Sequence, residues 1–144
     1  MSIGYQIDDG RCVVFVRGWG TVANDDIAAV TSALAADSRF RPEFGAVVDM
    51  RNIDDDLITP AFLTQIRHSV FAEQSRRAFV VSRAVDYGMA RMYQLMLGSD
   101  VIDVFRVLGE AYEWLGLPAD TPWPEPVVEV PVPLADGATG GRRT

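Results

Sequence analysis

The sequence predicts a single small α/β domain whose elements run in the order ββαβαβαβα. The main support is residues 77–115, where short apolar runs that suit strands alternate with segments of helical spacing. Units of this kind build a sheet with parallel neighbours joined by right-handed crossovers. A second support is Asp9-Gly10, a tight-turn signal between the first two strands. We therefore expect a mostly parallel sheet, packed by helices, with an antiparallel edge strand.

The predicted strands differ in how their apolar residues are spaced. The first alternates apolar and polar residues, as a half-exposed edge strand does. The last three are apolar at successive positions, so both of their faces must be covered by helices, a partner chain or a ligand. The five predicted strands are Ile3–Ile7, Cys12–Val16, Gly45–Met50, Phe79–Val81 and Val101–Phe105.

Capping residues and apolar stripes predict four helices. Thr21 and Asn24 both offer an N-cap to the first helix, and Thr59 followed by Pro60 is a clean start for the second. Gly116 and Pro118 end the last. The predicted inner faces, helix by helix, are Ile27, Val30 and Leu34; then Leu63, Ile66 and Val70; then Val85, Met89, Met92, Tyr93 and Met96; then Leu108, Ala111, Tyr112 and Leu115.

Composition limits the class of protein. A chain of 144 residues suits one domain, and a net charge of −7 disfavours nucleic acid and anionic membrane surfaces as partners. The longest apolar run, Cys12–Val16, is far too short to span a bilayer. With Cys12 as the single cysteine, no internal disulfide can form, which favours a cytoplasmic location. The chain has no lysine, so all 13 of its basic residues are arginines.

The C-terminal segment differs from the rest in composition. We place the domain at residues 1–117 and predict that residues 118–144, rich in proline and glycine, form a disordered tail that is dispensable for folding. Trp123 and the alternating valines from Val128 leave open that part of the tail packs on the domain or extends a sheet edge.

Arginines follow four of the predicted strands, at the edge where sites form in parallel sheets. Arg17, Arg51, Arg83 and Arg106 could together bind an anionic ligand or an acidic partner surface. Alternatively, they only end the strands, and neighbouring acids neutralise them. Trp19, beside Arg17, is a candidate apolar anchor, and Tyr87 is a candidate contact near a helix start.

The acidic residues suggest an alternative function. Asp49 at a predicted strand end and the Asp54–Asp56 run could hold Mg²⁺ and accept a phosphoryl group. A receiver of that kind needs a lysine, which this chain lacks, so a solvated acidic loop is the favoured interpretation. His68 has no nucleophile motif beside it, and one histidine with one cysteine cannot form a structural zinc site. We expect no catalytic residues, no metal and no cofactor.

Several segments resemble one known family. Val47–Arg51 after the first crossover, Tyr87–Met92 opening the third helix, and Val104–Arg106 leading to Ala111 and Trp114 are similar to the SpoIIAA-like (STAS/CRAL-TRIO-like) family. The resemblance covers about residues 3–117. It implies a non-enzymatic regulatory or binding module that engages a protein partner or a small or hydrophobic ligand, and it leaves a homodimer open.

The resemblance also raises a phosphorylation site. In the anti-sigma-factor antagonists of this family, a serine in an Asp-Ser-Ser-Gly context opens the helix after the third strand. Here that place reads Asp-Leu-Ile-Thr-Pro over residues 56–60, so Thr59 is the nearest match. The serines and the glycine are absent. We therefore expect Thr59 to cap the helix and to remain unmodified.

Overall fold

The computed structural model describes residues 3–66, 70–124 and 128–129. In this part of the chain ten elements follow one another: β1 (Ile3–Asp8), β2 (Val13–Ala23), α1 (Asn24–Ala36), β3 (Gly45–Leu57), α2 (Pro60–Ile66), β4 (Arg77–Val80), α3 (Ala84–Leu97), β5 (Ile102–Phe105), α4 (Leu108–Trp114) and β6 (Val128–Glu129). The predicted order ββαβαβαβα is confirmed, and β6 is an addition to it.

The strands form one sheet in the order β5-β4-β3-β2-β1-β6. β2, β3, β4 and β5 pair in parallel, whereas β1 pairs antiparallel with β2. The predicted mostly parallel sheet is therefore confirmed. Its expected antiparallel edge strand, β1, carries β6 on its outer side, since Gly4 pairs with Glu129 and Tyr5 with Val128.

Helices cover both faces of the sheet, as the continuous apolar strands require. α1, α2 and α3 lie on one face, where Val16 and Val48 contact the helices. We call this the three-helix face. On the other face, α4 packs over Phe15, Val47 and Val80. The predicted inner residues of α4 are confirmed, because Leu108, Ala111, Tyr112 and Leu115 all belong to that packing cluster.

β2 and β3 are much longer than the predicted strands. They stay paired beyond the level at which β4 and β5 end, as far as Ala23 and Leu57. The predicted ends at Val16 and Met50 were therefore wrong. The prediction of a solvated acidic loop was also wrong, because Asp54–Asp56 lie within β3. Pairing with a neighbouring strand satisfies the backbone of this polar stretch, although its composition resembles a loop.

Two helix predictions also need correction. Neither Thr21 nor Asn24 caps α1: the N-cap is Ala23, whose N–H donates to the Asp26 side chain at 2.8 Å. In α3 the inward face includes Asp86 and Gln94, whereas Val85 and Met92 are exposed. Polar residues can replace apolar ones there because each finds a partner. Asp86 accepts from Arg83, and Gln94 donates to the Ile102 carbonyl oxygen.

Residues 118–124 pack on the domain. Thr121 is buried, and the Trp123 ring meets Phe15 edge-on with centroids 5.2 Å apart. The prediction of a disordered tail is therefore wrong for this described part of 118–144. An aromatic ring that covers a sheet face stabilises its segment despite the prolines at positions 118, 122 and 124. The boundary after Leu117 stays a prediction.

Candidate functional site

The three-helix face contains an apolar cavity of about 120 Å³. Side chains of the sheet form its floor, and α1, α2 and α3 form its walls. Because its lining is almost entirely hydrocarbon, the cavity suits an apolar group better than a water cluster. The apolar lining includes Val16, Val48 and Phe79 from the sheet and Val30, Leu63 and Met89 from the helices.

A buried arginine contributes to this cavity. Arg77, the first residue of β4, is only 4% exposed and lines the cavity. Its Nη1 donates to the Tyr93 hydroxyl at 3.1 Å and its Nε to the Ser75 carbonyl oxygen at 3.4 Å. The guanidinium carbon lies 5.3 Å from the Phe71 ring centroid and 5.9 Å from that of Tyr93. Burial lowers the pKa of Arg77, yet an arginine stays charged in proteins.

Two carboxyl groups also line the cavity, Asp56 from β3 and Asp86 from α3. Burial and the neighbouring Asp86 carboxyl raise the pKa of Asp56 to about 6. Asp86 Oδ2 accepts from Arg83 Nε at 3.0 Å, while its buried Oδ1 has no hydrogen-bond partner among the described residues. Protonation of Asp56 removes the charge repulsion between the two carboxyl groups.

The four arginines predicted to form a cationic rim differ in their contacts. Arg17 and Arg51 both pair with Asp49, at 3.6 and 2.9 Å. Arg83 instead pairs with Asp86 and donates to the Asp54 carbonyl oxygen. Arg106 lies 5.0 Å from the Tyr87 ring centroid, measured from its guanidinium carbon. Three of the four are therefore paired with aspartates. Ligand or partner binding at these residues stays a prediction.

The remaining predicted anchors sit close to these groups. Trp19 is partly buried in β2 and pairs in register with Asn52, beyond an irregularity that follows Arg17. Tyr87 packs in the cluster around Val22 and Ile53 while its ring contacts Arg106. His68 lies outside the described residues.

Asp49 is held in an ionised state on the α4 face. It is 1% exposed and lies inside β3 rather than at a strand end. Burial opposes its ionisation, but hydrogen bonds from Arg51 and the charges of Arg51 and Arg17 together hold its pKa below the usual value. Such an enclosed carboxylate is poorly placed to accept a phosphoryl group. Among the described residues, no group of three or more His, Cys, Asp or Glu side chains could hold a metal ion.

Thr59 has the capping geometry that was expected of it. Its Oγ1 accepts from the Phe62 N–H at 3.2 Å, three residues into the first turn of α2. The same hydroxyl accepts from Asn24 Nδ2 at 3.2 Å, and the Thr59 N–H donates to Asn24 Oδ1 at 3.1 Å. Asn24 therefore links the starts of α1 and α2.

Sequence reasoning missed Arg77 and the Asp56–Asp86 pair as cavity residues. A signal for Arg77 was present, because it opens an apolar strand at a position two residues before inward-facing Phe79. Asp86 was expected only as one of the neighbouring acids that could neutralise a strand-end arginine. Its approach to Asp56 depends on how α3 docks on β3, which no local pattern reveals.

Comparisons with known proteins bear on the fold. No family model matches the chain, and no curated protein matches it. A solved structure does: an uncharacterized protein of the DUF3478 family from Shewanella loihica PV-4, described as having a SpoIIAA-like fold. The TM-score is 0.51 at 18% sequence identity, over 79% of this chain and 92% of that chain.

The chain has a SpoIIAA-like fold. At 18% identity the likeness extends to the architecture alone, which agrees with the family that the sequence resembles. None of the helices in the described residues has the length and apolar character needed to cross a membrane.

Proposed function

We propose that this SpoIIAA-like domain is a non-enzymatic binding module that holds a small apolar molecule in the cavity of its three-helix face. The observation that carries the proposal is the cavity of about 120 Å³ with a nearly continuous hydrocarbon lining. An apolar cavity of about 150 Å³ in another protein stays dry and takes up benzene. A site of this size suits one small ring or a short hydrocarbon chain.

The polar groups support binding rather than catalysis. The buried carboxylate Asp49 is engaged by Arg17 and Arg51, and Asp86 is engaged by Arg83. No nucleophile, base and orienting group are assembled among the described residues of the cavity. The alternative of a Mg²⁺-dependent phosphoacceptor at Asp49 and Asp54–Asp56 is disfavoured, because Asp49 is enclosed and the three other aspartates extend along one strand.

The proposal is tested by titrating ¹⁵N-labelled protein with neutral ligands, benzyl alcohol and 1-hexanol, and following amide shifts by NMR. Saturable shifts should appear at residues of β3, β4 and α3. Ala90→Phe places a ring in the cavity from α3 and should abolish them, because Ala90 lines the cavity. Leu95→Phe is the matched control, since Leu95 lies on the same helix and is 82% exposed. Absent saturation, or equal binding by the Ala90→Phe variant, would contradict the proposal.

The natural occupant can be sought directly. Native mass spectrometry of the protein purified from its own cells separates a retained small molecule from a co-purifying protein. We propose the cytoplasm as its location, which is compatible with an exposed Cys12 that is free of any disulfide. A bound small molecule that is released by Ala90→Phe supports the ligand-binding module, whereas a stoichiometric protein partner on an empty cavity favours a protein-binding role.

A further inference from the structure

Arg77 is a buried cation without a counter-ion among the described residues. It is 4% exposed, and no described carboxylate lies within ion-pair distance of it. Its hydrogen bonds go to neutral oxygens of Tyr93 and Ser75. Removing a guanidinium from water is costly unless an opposite charge or a full set of acceptors replaces the water. The rings of Phe71 and Tyr93 compensate for only part of the lost hydration of the guanidinium.

The guanidinium also has donors left over. Of its five N–H groups, the Nε proton and one on Nη1 are used, and Nη2 donates to no described residue. A carboxylate matches the fork geometry of a guanidinium and forms two parallel hydrogen bonds with it. The cavity into which this side chain projects has hydrocarbon walls that suit the rest of such a molecule.

We propose that the ligand of this cavity is a small apolar monocarboxylate, with its carboxylate on Arg77 and its hydrocarbon part among the apolar walls. The inference rests on the proposed function and adds the charge and orientation of the ligand. The Asp56–Asp86 pair lines the same cavity and repels a second anion, so the carboxylate has one favourable position. The volume fits molecules of the size of benzoate or hexanoate.

The first test uses the unaltered protein and three ligands with the same ring: benzoate, benzyl alcohol and benzylamine. Titration calorimetry compares the affinities of the three ligands at about pH 7.5, where benzoate is ionised and benzylamine is protonated. A charge-assisted pair with Arg77 should make benzoate bind about tenfold or more tightly than benzyl alcohol, with benzylamine weakest. Equal affinities for the acid and the alcohol would overturn the inference and leave the proposed function standing. Tightest binding of the amine would assign the polar contact to Asp56 and Asp86 instead. Failure of all three ligands to bind would reject the proposed function itself.

The second test alters the arginine. Arg77→Met keeps an unbranched apolar side chain at this position and removes the buried charge. It should abolish the preference for benzoate over benzyl alcohol and leave binding of the alcohol intact. Arg76→Met is the matched control, because Arg76 is exposed and stacks on Trp114 on the other face. A benzoate preference that survives Arg77→Met would overturn the inference, and the three-ligand series decides the matter if this variant does not fold.

Discussion

Arg51 and Asp49, two residues apart on β3, form a two-pronged ion pair in which Nε donates to Oδ1 and Nη2 to Oδ2, each at 2.9 Å. The Arg51 N–H adds a third hydrogen bond to Oδ1 at 3.1 Å. Arg17 on β2 approaches the same carboxylate from the side at 3.6 Å. Because Asp49 is 1% exposed, this arrangement keeps a charge inside the protein by surrounding it with donors.

We expect Asp49→Asn to destabilise the protein by about 3 kcal/mol, because it leaves two guanidiniums without their common partner. Urea unfolding at neutral pH measures this change. Arg51→Gln should cost less, since Arg17 still faces the carboxylate. The double variant Arg51→Gln, Arg83→Gln should therefore lower the free energy of unfolding. Arginines of a simple surface patch could be replaced without such a loss. An Asp49→Asn variant as stable as the parent protein would show that the buried pair contributes nothing net.

The pH dependence of Asp56 follows from its burial and from its contact with Asp86. Its folded-state pKa of about 6 lies above the unfolded value of about 3.9. The folded state therefore retains a proton that the unfolded state has lost, so this contribution is complete below about pH 4 and is lost as the pH rises through about 6. Asp56→Asn removes the titration and keeps an oxygen that can accept from the Ile58 N–H.

Urea unfolding of the parent protein and Asp56→Asn between about pH 4.5 and pH 7.5 tests this, across the window set by the raised pKa. We expect Asp56→Asn to gain stability relative to the parent as the pH rises. Arg83 and Asp86, the charged groups that face Asp56, are unchanged in both proteins. Asp55→Asn, an exposed neighbour on the same strand, is the control and should show no such trend. A difference that is constant across the range would contradict the raised pKa of Asp56.

Thr59 supplies a cap for α2 and a link to Asn24. We expect Thr59→Ala to cost about 1 kcal/mol, the usual loss when a capping hydroxyl is removed. Thr59→Ser keeps the hydroxyl and should restore most of that stability. Incubation with cell extract and ATP followed by mass spectrometry should leave Thr59 unmodified. Stoichiometric phosphate on it would instead revive the phosphorylation switch that the family resemblance suggests.

Trp123 makes the segment after α4 part of the fold. Its ring lies against Phe15, and the guanidinium carbon of Arg17 lies 4.3 Å from the ring centroid. Trp123→Ala should cost about 3 kcal/mol through lost burial. Truncation after Leu117 should lower the melting temperature by at least as much as Trp123→Ala, relative to a chain that ends after Glu129. An unchanged melting temperature on truncation would restore the earlier expectation that the segment is dispensable.

The sequence predicted the architecture well because the order of elements depends on local signals. Alternation in β1, the Asp9-Gly10 turn and the Thr59-Pro60 start each report on their own few residues. Strand length was predicted less well, because the polar half of β3 is stabilised by pairing with β2, which lies elsewhere in the sequence. Trp123 likewise depends on Phe15, over a hundred positions away in the chain.

The candidate site was harder to predict because it depends on docking. The cavity exists where α1, α2 and α3 meet the sheet without filling the space between them. The sequence indicated that strand-end arginines are available, but it could not show that Asp49 engages two of them and Asp86 a third. Arg77 opens an apolar strand and belongs to no recognisable motif, so the sequence did not indicate that its charge would be buried beside a cavity.

The pairing of β6 with β1 has a consequence for synthesis of the chain on the ribosome. β1 is made first, yet its outer edge receives its partner only after residue 129 has emerged. The nascent domain therefore exposes that edge while every other strand is being made, and an open strand edge is where foreign chains can add. Completion of the sheet is a late, long-range step that links the beginning of this domain to its last described strand.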